Sequence, residues 1–211
     1  MKKLSGFIAL VLMISLLLCS AASADTITAL ATEINPEHLE KTASYARILG
    51  YNEETNTLKV ELIAPERFSG EEVAALKEGD SIYTNGQEVL IESINYDDEW
   101  CSTVFFNGWD IMMFQERDGN YTMMADEDDC VWISLGMIEC PVQDSLLCLD
   151  YIDEKTRNAL PDVHTARELT ARLLEEGTDE PYTVGLSINN VYVVFDGEGN
   201  LAAIHRYWVL W

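Results

Sequence analysis

Two Asn-Gly dipeptides, Asn85-Gly86 and Asn107-Gly108, each stand between short runs rich in β-branched, aliphatic and aromatic residues. Asn and Gly reach positive φ at the least steric cost, so this dipeptide closes a two-residue type I′ turn and sets its flanks antiparallel. The chain around them is therefore constrained to hairpins: Ser81 to Thr84 with Gln87 to Asn95, and Ser102 to Phe106 with Trp109 to Phe114. The same punctuation recurs on both sides. Asn52 to Asn56 separates Ser44 to Tyr51 from Thr57 to Ala64, and Arg117 to Asn120 leads into Tyr121 to Ala125. Cys130 to Ile138 is a further strand. Strands at this spacing predict a small barrel or sandwich over residues 44–140.

Helices are few. Ser69-Gly-Glu-Glu72 is a capping box opening a short helix over Val73-Ala-Ala-Leu76, with Gly79 as its terminator. Beyond Pro141 the pattern changes. Leu146 to Tyr151 is strand-like and Asp153 to Ala159 helix-like. Val163, Ala166, Leu169, Leu173 and Leu174 form one stripe of a helix over about 163–176, stopped by Gly177. Tyr182 to Ile188, Val191 to Phe195 and Leu201 to Leu210 are strands, the last two joined by Asp196-Gly-Glu-Gly-Asn200. The fold class expected is α+β, mainly antiparallel β: hairpins over 44–140, then a helix-plus-hairpin part over 141–211 that packs on them or forms a second small domain. Residues 25–43 are a polar leader, with one helical turn where Asn35 caps and Pro36 occupies the first helical position.

The first 24 residues read as a signal peptide. Lys2 and Lys3 precede the apolar run Phe7 to Leu18, and Ala22-Ser23-Ala24 is a small-x-small cleavage site. The run is short for a membrane span, which takes about 20 residues. The expected location is secreted or cell-envelope, outside the cytoplasmic membrane, and the compact Met-Lys-Lys start points to a bacterial source. Cys19 offers a lipoprotein alternative, but Leu18 stands where a lipobox places a small residue. No transmembrane segment is expected after cleavage.

With 13 basic and 37 acidic residues the formal charge is −24, and every acidic residue lies beyond position 24. Such a charge repels phosphate backbones, so no nucleic-acid partner is expected. It serves solubility, or it attracts a cation or a basic partner. Once Cys19 is removed or lipidated, Cys101, Cys130, Cys140 and Cys148 remain. They are disulfide candidates in an exported protein, or small buried hydrophobes.

Catalytic motifs are missing from the sequence. Gly185-Leu-Ser187-Ile-Asn189 lacks the second glycine of a nucleophile elbow, and neither a P-loop nor a dinucleotide fingerprint occurs. Among His38, His164 and His205, the last is the best placed for chemistry, beside Arg206 and Tyr207. Asp126, Glu127, Asp128 and Asp129 bunch hard oxygen ligands that could hold calcium, or form a solvated loop. Asp196-x-Glu198-x-Asn200 begins like an EF-hand loop, but Leu201 replaces its glycine and Tyr207 its glutamate, so it reads as a hairpin turn. Trp100, Trp109, Trp132 and Trp208 are candidate ligand-binding faces, or core.

Leu76-Lys-Glu-Gly-Asp80-Ser-Ile82, followed by a hairpin, resembles the Gly-Asp-x-Ile opening strand of many SH3-like and OB-like barrels; the resemblance implies architecture only. The expected function is an exported, non-catalytic protein that binds a protein or glycan. The alternatives are a cofactor-independent hydrolase working through carboxylates, and a calcium-stabilised surface module.

Overall fold

The computed structural model describes residues 26–95, 112–124, 130–151, 161–168 and 191–207. They are mostly β, rich in antiparallel pairing, with little helix and no closed barrel among them. Of the barrel or sandwich expected over 44–140, no closed barrel forms among the described residues; three open sheets do, one of which draws strands from both sides of residue 140.

That sheet has seven strands in the order β11 (Asp162–His164), β10 (Leu147–Asp150), β13 (Leu201–Arg206), β12 (Val191–Phe195), β2 (Ala43–Asn52), β3 (Thr57–Pro65) and β9 (Trp132–Pro141). Only β10 and β13 run parallel. Alternation explains the pattern. In β12, Val191, Val193 and Phe195 are buried while Tyr192 and Val194 are half-exposed. In β2, Ser44, Ala46 and Ile48 are buried while Tyr45 and Leu49 are exposed. The buried rows meet Leu58, Val60, Leu62, Cys148, Leu201 and Ile204 in one apolar core.

Two small sheets surround a second core. β1 (Thr26–Thr28) pairs parallel with β5 (Ser81–Thr84), which forms a hairpin with β6 (Gln87–Leu90). β4 (Arg67–Phe68) pairs with β8 (Tyr121–Met124), and β8 with β7 (Met112–Gln115). Phe68, Val73, Ile82, Ile91, Met113 and Met123 fill this core, with α1 (Gly70–Ala75) across it.

Local signals account for most boundaries. Asn85 and Gly86 have φ of 48° and 73°, as a type I′ turn requires. The Ser69 side chain accepts from the Glu72 N–H and caps α1, but the helix stops at Ala75, before the Gly79 turn. β6 ends at Leu90, short of the expected Asn95. The expected helical turn at Asn35 is an Asx turn instead: Asn35 Oδ1 accepts from the Glu37 N–H at 3.0 Å. The leader also carries β1 and contributes Leu39 to the first core.

The helix expected from Val163 starts later. Asp162–His164 is a strand on β10, and Val163 is exposed. Thr165 and Glu168 form a reciprocal capping box, with the Glu168 N–H donating to Thr165 Oγ1 at 3.2 Å and the Thr165 N–H to Glu168 Oε2 at 2.9 Å. These bonds hold the Glu168 carboxyl below its ordinary range. Helical residues 166–168 follow, with Ala166 in the first core. The remaining helix stripe, Ser102 to Phe106, Asp153 to Ala159 and Tyr182 to Ile188 lie outside the described residues.

Candidate functional groove

The non-core face of the large sheet is aromatic. One row of paired residues crosses it: Val163, Leu149, His205, Tyr192, Tyr45 and Ile63. Paired residues share a face, so this row follows from register alone. Tyr45 meets Trp132 edge-to-face at 5.0 Å and 64°, and Tyr192 at 5.4 Å and 79°. Further along the face, Tyr151, His205 and Tyr207 stack nearly parallel, with Tyr151 and Tyr207 4.9 Å apart. Tyr207 Oη lies 3.2 Å from His205 Nδ1. Burial pushes the His205 imidazole down, favouring its neutral form, and pushes the Tyr207 phenol up, with Tyr151 adding to the latter.

Over the Tyr45 end of this face lies an open groove of about 630 Å³. Its floor is Tyr45, Tyr192, Ile63 and Ile133, and one wall is the leader, residues 30–34. The Leu30 N–H donates to the Arg67 carbonyl at 2.6 Å, and Pro36 packs 3.6 Å from where a Cβ on Gly136 would stand. These contacts fix the leader at both ends of the wall. The other wall is the β7–β8 turn. Arg67 Nη2 donates to Asp118 Oδ2, and Asn120 donates to the same carboxylate through Nδ2 at 3.2 Å and its backbone N–H at 3.1 Å. Those donors hold the Asp118 carboxyl below the usual carboxylate range.

Of the sequence candidates, Trp132 packs on Tyr45 and does not itself line the groove. Trp100, Trp109 and Trp208 lie outside the described residues, as do Asp126, Glu127, Asp128 and Asp129. Among the described residues no three His, Cys, Asp or Glu side chains converge as a metal site. Asp196 turns its carboxylate to its own loop: Oδ1 accepts the N–H groups of Glu198 at 2.9 Å and Asn200 at 2.8 Å. It closes the β12–β13 hairpin.

No disulfide joins Cys130, Cys140 and Cys148 to one another; Cys101 lies outside the described residues. Cys140 and Cys148 are core side chains, and burial raises their thiols from 9.0 to about 11 and about 12. His38 is exposed in the Asn35 turn. His164 sits 4.0 Å from Asp150, whose carboxylate also takes Arg206 Nη1 at 3.3 Å. Asp150 and Arg206 are both buried on the core side, away from His205.

Tyr45, Tyr192, Arg67 and Asp118 were not singled out by sequence pattern. A usable signal existed for the two tyrosines: each occupies the non-core parity of a strand whose other residues alternate into the core. No helix of the described residues is long and apolar enough to cross a membrane. No protein-family profile, curated protein or solved structure matches the chain.

Proposed function

We propose that this chain is an exported, non-catalytic binding protein and that the groove over Tyr45 and Tyr192 is its ligand site. The observation that carries the reading is that groove: an open, concave surface floored by two tyrosines and two isoleucines, between walls pinned by backbone and ion-pair contacts. Binding sites combine an apolar or aromatic body with a few placed polar groups, and this one has Asp118, Asn120 and Arg67 at its margin. The signal-like first 24 residues support a ligand outside the cytoplasmic membrane.

The test is a screen of the purified protein against immobilised oligosaccharide and peptide libraries, beside a Tyr45→Ala/Tyr192→Ala variant. Both tyrosines carry exposed or half-exposed rings, so the variant is expected to melt close to the parent. The reading predicts ligands that the parent retains and the variant loses. A parent that retains nothing, or a variant that retains the same ligands, sinks it.

A further inference from the structure

We infer that the groove receives a cationic side chain, lysine or arginine, presented by an extended segment of a partner protein. The inference rests on the groove being the ligand site and adds which chemistry enters it.

Charge balance favours a cation. Glu33 stands on the leader wall and Asp118 on the opposite wall, and Arg67 is the one lysine or arginine lining the groove. Arg67 is bound to Asp118, so its charge is already answered. Glu33 is exposed and has no hydrogen-bond or ion-pair partner among the described residues. Burial holds the Tyr45 phenol above its ordinary value, and Tyr192, Cys130 and Glu116 add to this in that order. A cation entering here meets two tyrosine rings and the Glu33 carboxylate together.

An anionic ligand would meet Glu33 with the wrong sign, while Asp118 and Arg67 answer each other. The chain's formal charge of −24 extends the same attraction to long range.

The leader wall explains why the cation comes on a peptide. The N–H groups of Ala31, Thr32 and Glu33 donate to no described residue. An extended segment lying beside them can accept those hydrogen bonds while its side chain drops to the tyrosine floor.

The test uses the full processed chain and four pentapeptides, acetyl-Gly-Gly-X-Gly-Gly-amide with X as Lys, Arg, Leu or Glu, with butylammonium as a free cation. Binding is followed through the tyrosine ring resonances. The Lys and Arg peptides are expected to shift Tyr45 and Tyr192, and the Leu and Glu peptides to leave them still. Tyr45→Leu and Tyr192→Leu should each weaken the Lys peptide roughly two- to thirty-fold. Glu33→Gln should weaken it roughly two- to five-fold, and more so at low salt. Glu53→Gln, in the β2–β3 turn, should change nothing.

Equal weakening by Glu53→Gln would reduce the effect to diffuse charge and overturn the inference. Butylammonium binding as tightly as the Lys peptide would overturn the peptide part. Lys and Arg peptides that fail to bind overturn the cation. If a neutral ligand from the library screen still requires both tyrosines, the groove survives as a ligand site and only its cationic assignment falls.

Discussion

Glu66 is a buried carboxylate with a structural task. It is 4 % exposed, accepts from Thr84 Oγ1 at 2.5 Å, and takes the Asn85 N–H at 3.0 Å. It thereby ties the corner between β3 and β4 to the β5–β6 turn. Glu66→Ala leaves that hydroxyl and that amide without their acceptor and should cost about 2–3 kcal/mol in urea unfolding. Glu66→Gln keeps an acceptor oxygen and should cost about 1 kcal/mol. Equal losses would mean that packing, and not the hydrogen bonds, sets the effect. The two core thiols make a second residue-scale prediction. Their folded values, about 11 for Cys140 and about 12 for Cys148, lie above the ordinary 9.0. Folding therefore favours the protonated thiols. That contribution is complete below pH 9 and is lost as pH rises through 9 toward 12. The urea midpoint should fall across this window more steeply in the parent than in Cys140→Ala/Cys148→Ala. At pH 8 neither thiol should react with iodoacetamide until the chain is unfolded.

At the scale of elements, the groove wall depends on how α1 meets the β7–β8 turn. A Cβ on Gly70 would stand 2.1 Å from the Gly119 carbonyl oxygen. That is a backbone atom and cannot rotate aside. Gly70→Ala should therefore displace residues 116–120, cost about 1–3 kcal/mol, and weaken groove ligands even though Gly70 does not line the groove. An unchanged melting temperature would show that the turn yields freely. Gly70 was legible only as a member of the capping box Ser69-Gly-Glu-Glu72; its contact with Gly119 was not, because turn chemistry fixes neighbours along the chain and says nothing of distant ones. The same limit governs the sheet. Asn85-Gly86 and Asn52 to Asn56 announced their hairpins, and the alternation of Val191, Val193 and Phe195 announced a buried face. No local signal said that β12 would lie against β2, and the expectation of a barrel or sandwich came from packing the hairpins on one another. The helix start was misplaced for a different reason. Val163 fits a helical period by accident of spacing, and the capping box at Thr165 and Glu168 decides the true start. For the groove, the parity of Tyr45 and Tyr192 was readable, but their adjacency depends on that same distant pairing. Trp132 is placed beside Tyr45; Trp100, Trp109 and Trp208 lie outside the described residues.

At the scale of the whole molecule, the two cores differ in how the chain builds them. The second core is made from residues between Ile27 and Val131. The first draws Ala46, Ile48, Leu58, Val60 and Leu62 from one side of residue 140 and Cys148, Val191, Val193, Phe195 and Ile204 from the other. The joint is continuous backbone pairing: Val191 to Val194 against Ala46 to Ala43, with the Lys41 N–H donating to Asp196 O at 2.7 Å and the Phe195 N–H to Thr42 O at 2.8 Å. Buried Asp150 and Arg206 then lock β10 to β13 within the later part, and removing one partner would leave the other charge buried. A chain cut after residue 140 would keep every residue of the second core and lose half of the first. Its β2 and β3 would lose the core contacts that Ala46, Ile48, Val60 and Leu62 make with Cys148, Val191, Val193, Phe195 and Ile204. Burial of each such side chain is worth about 1.5–3 kcal/mol, a large share of the net stability of a domain. The prediction is that residues 25–140, expressed alone, retain protection from hydrogen exchange at Ile82, Met113 and Met123 and lose it throughout 43–65. Adding residues 141–211 as a separate chain should restore protection there. If 25–140 alone protects both regions as the full chain does, the first core does not require β12, and the two parts of the chain are independent domains.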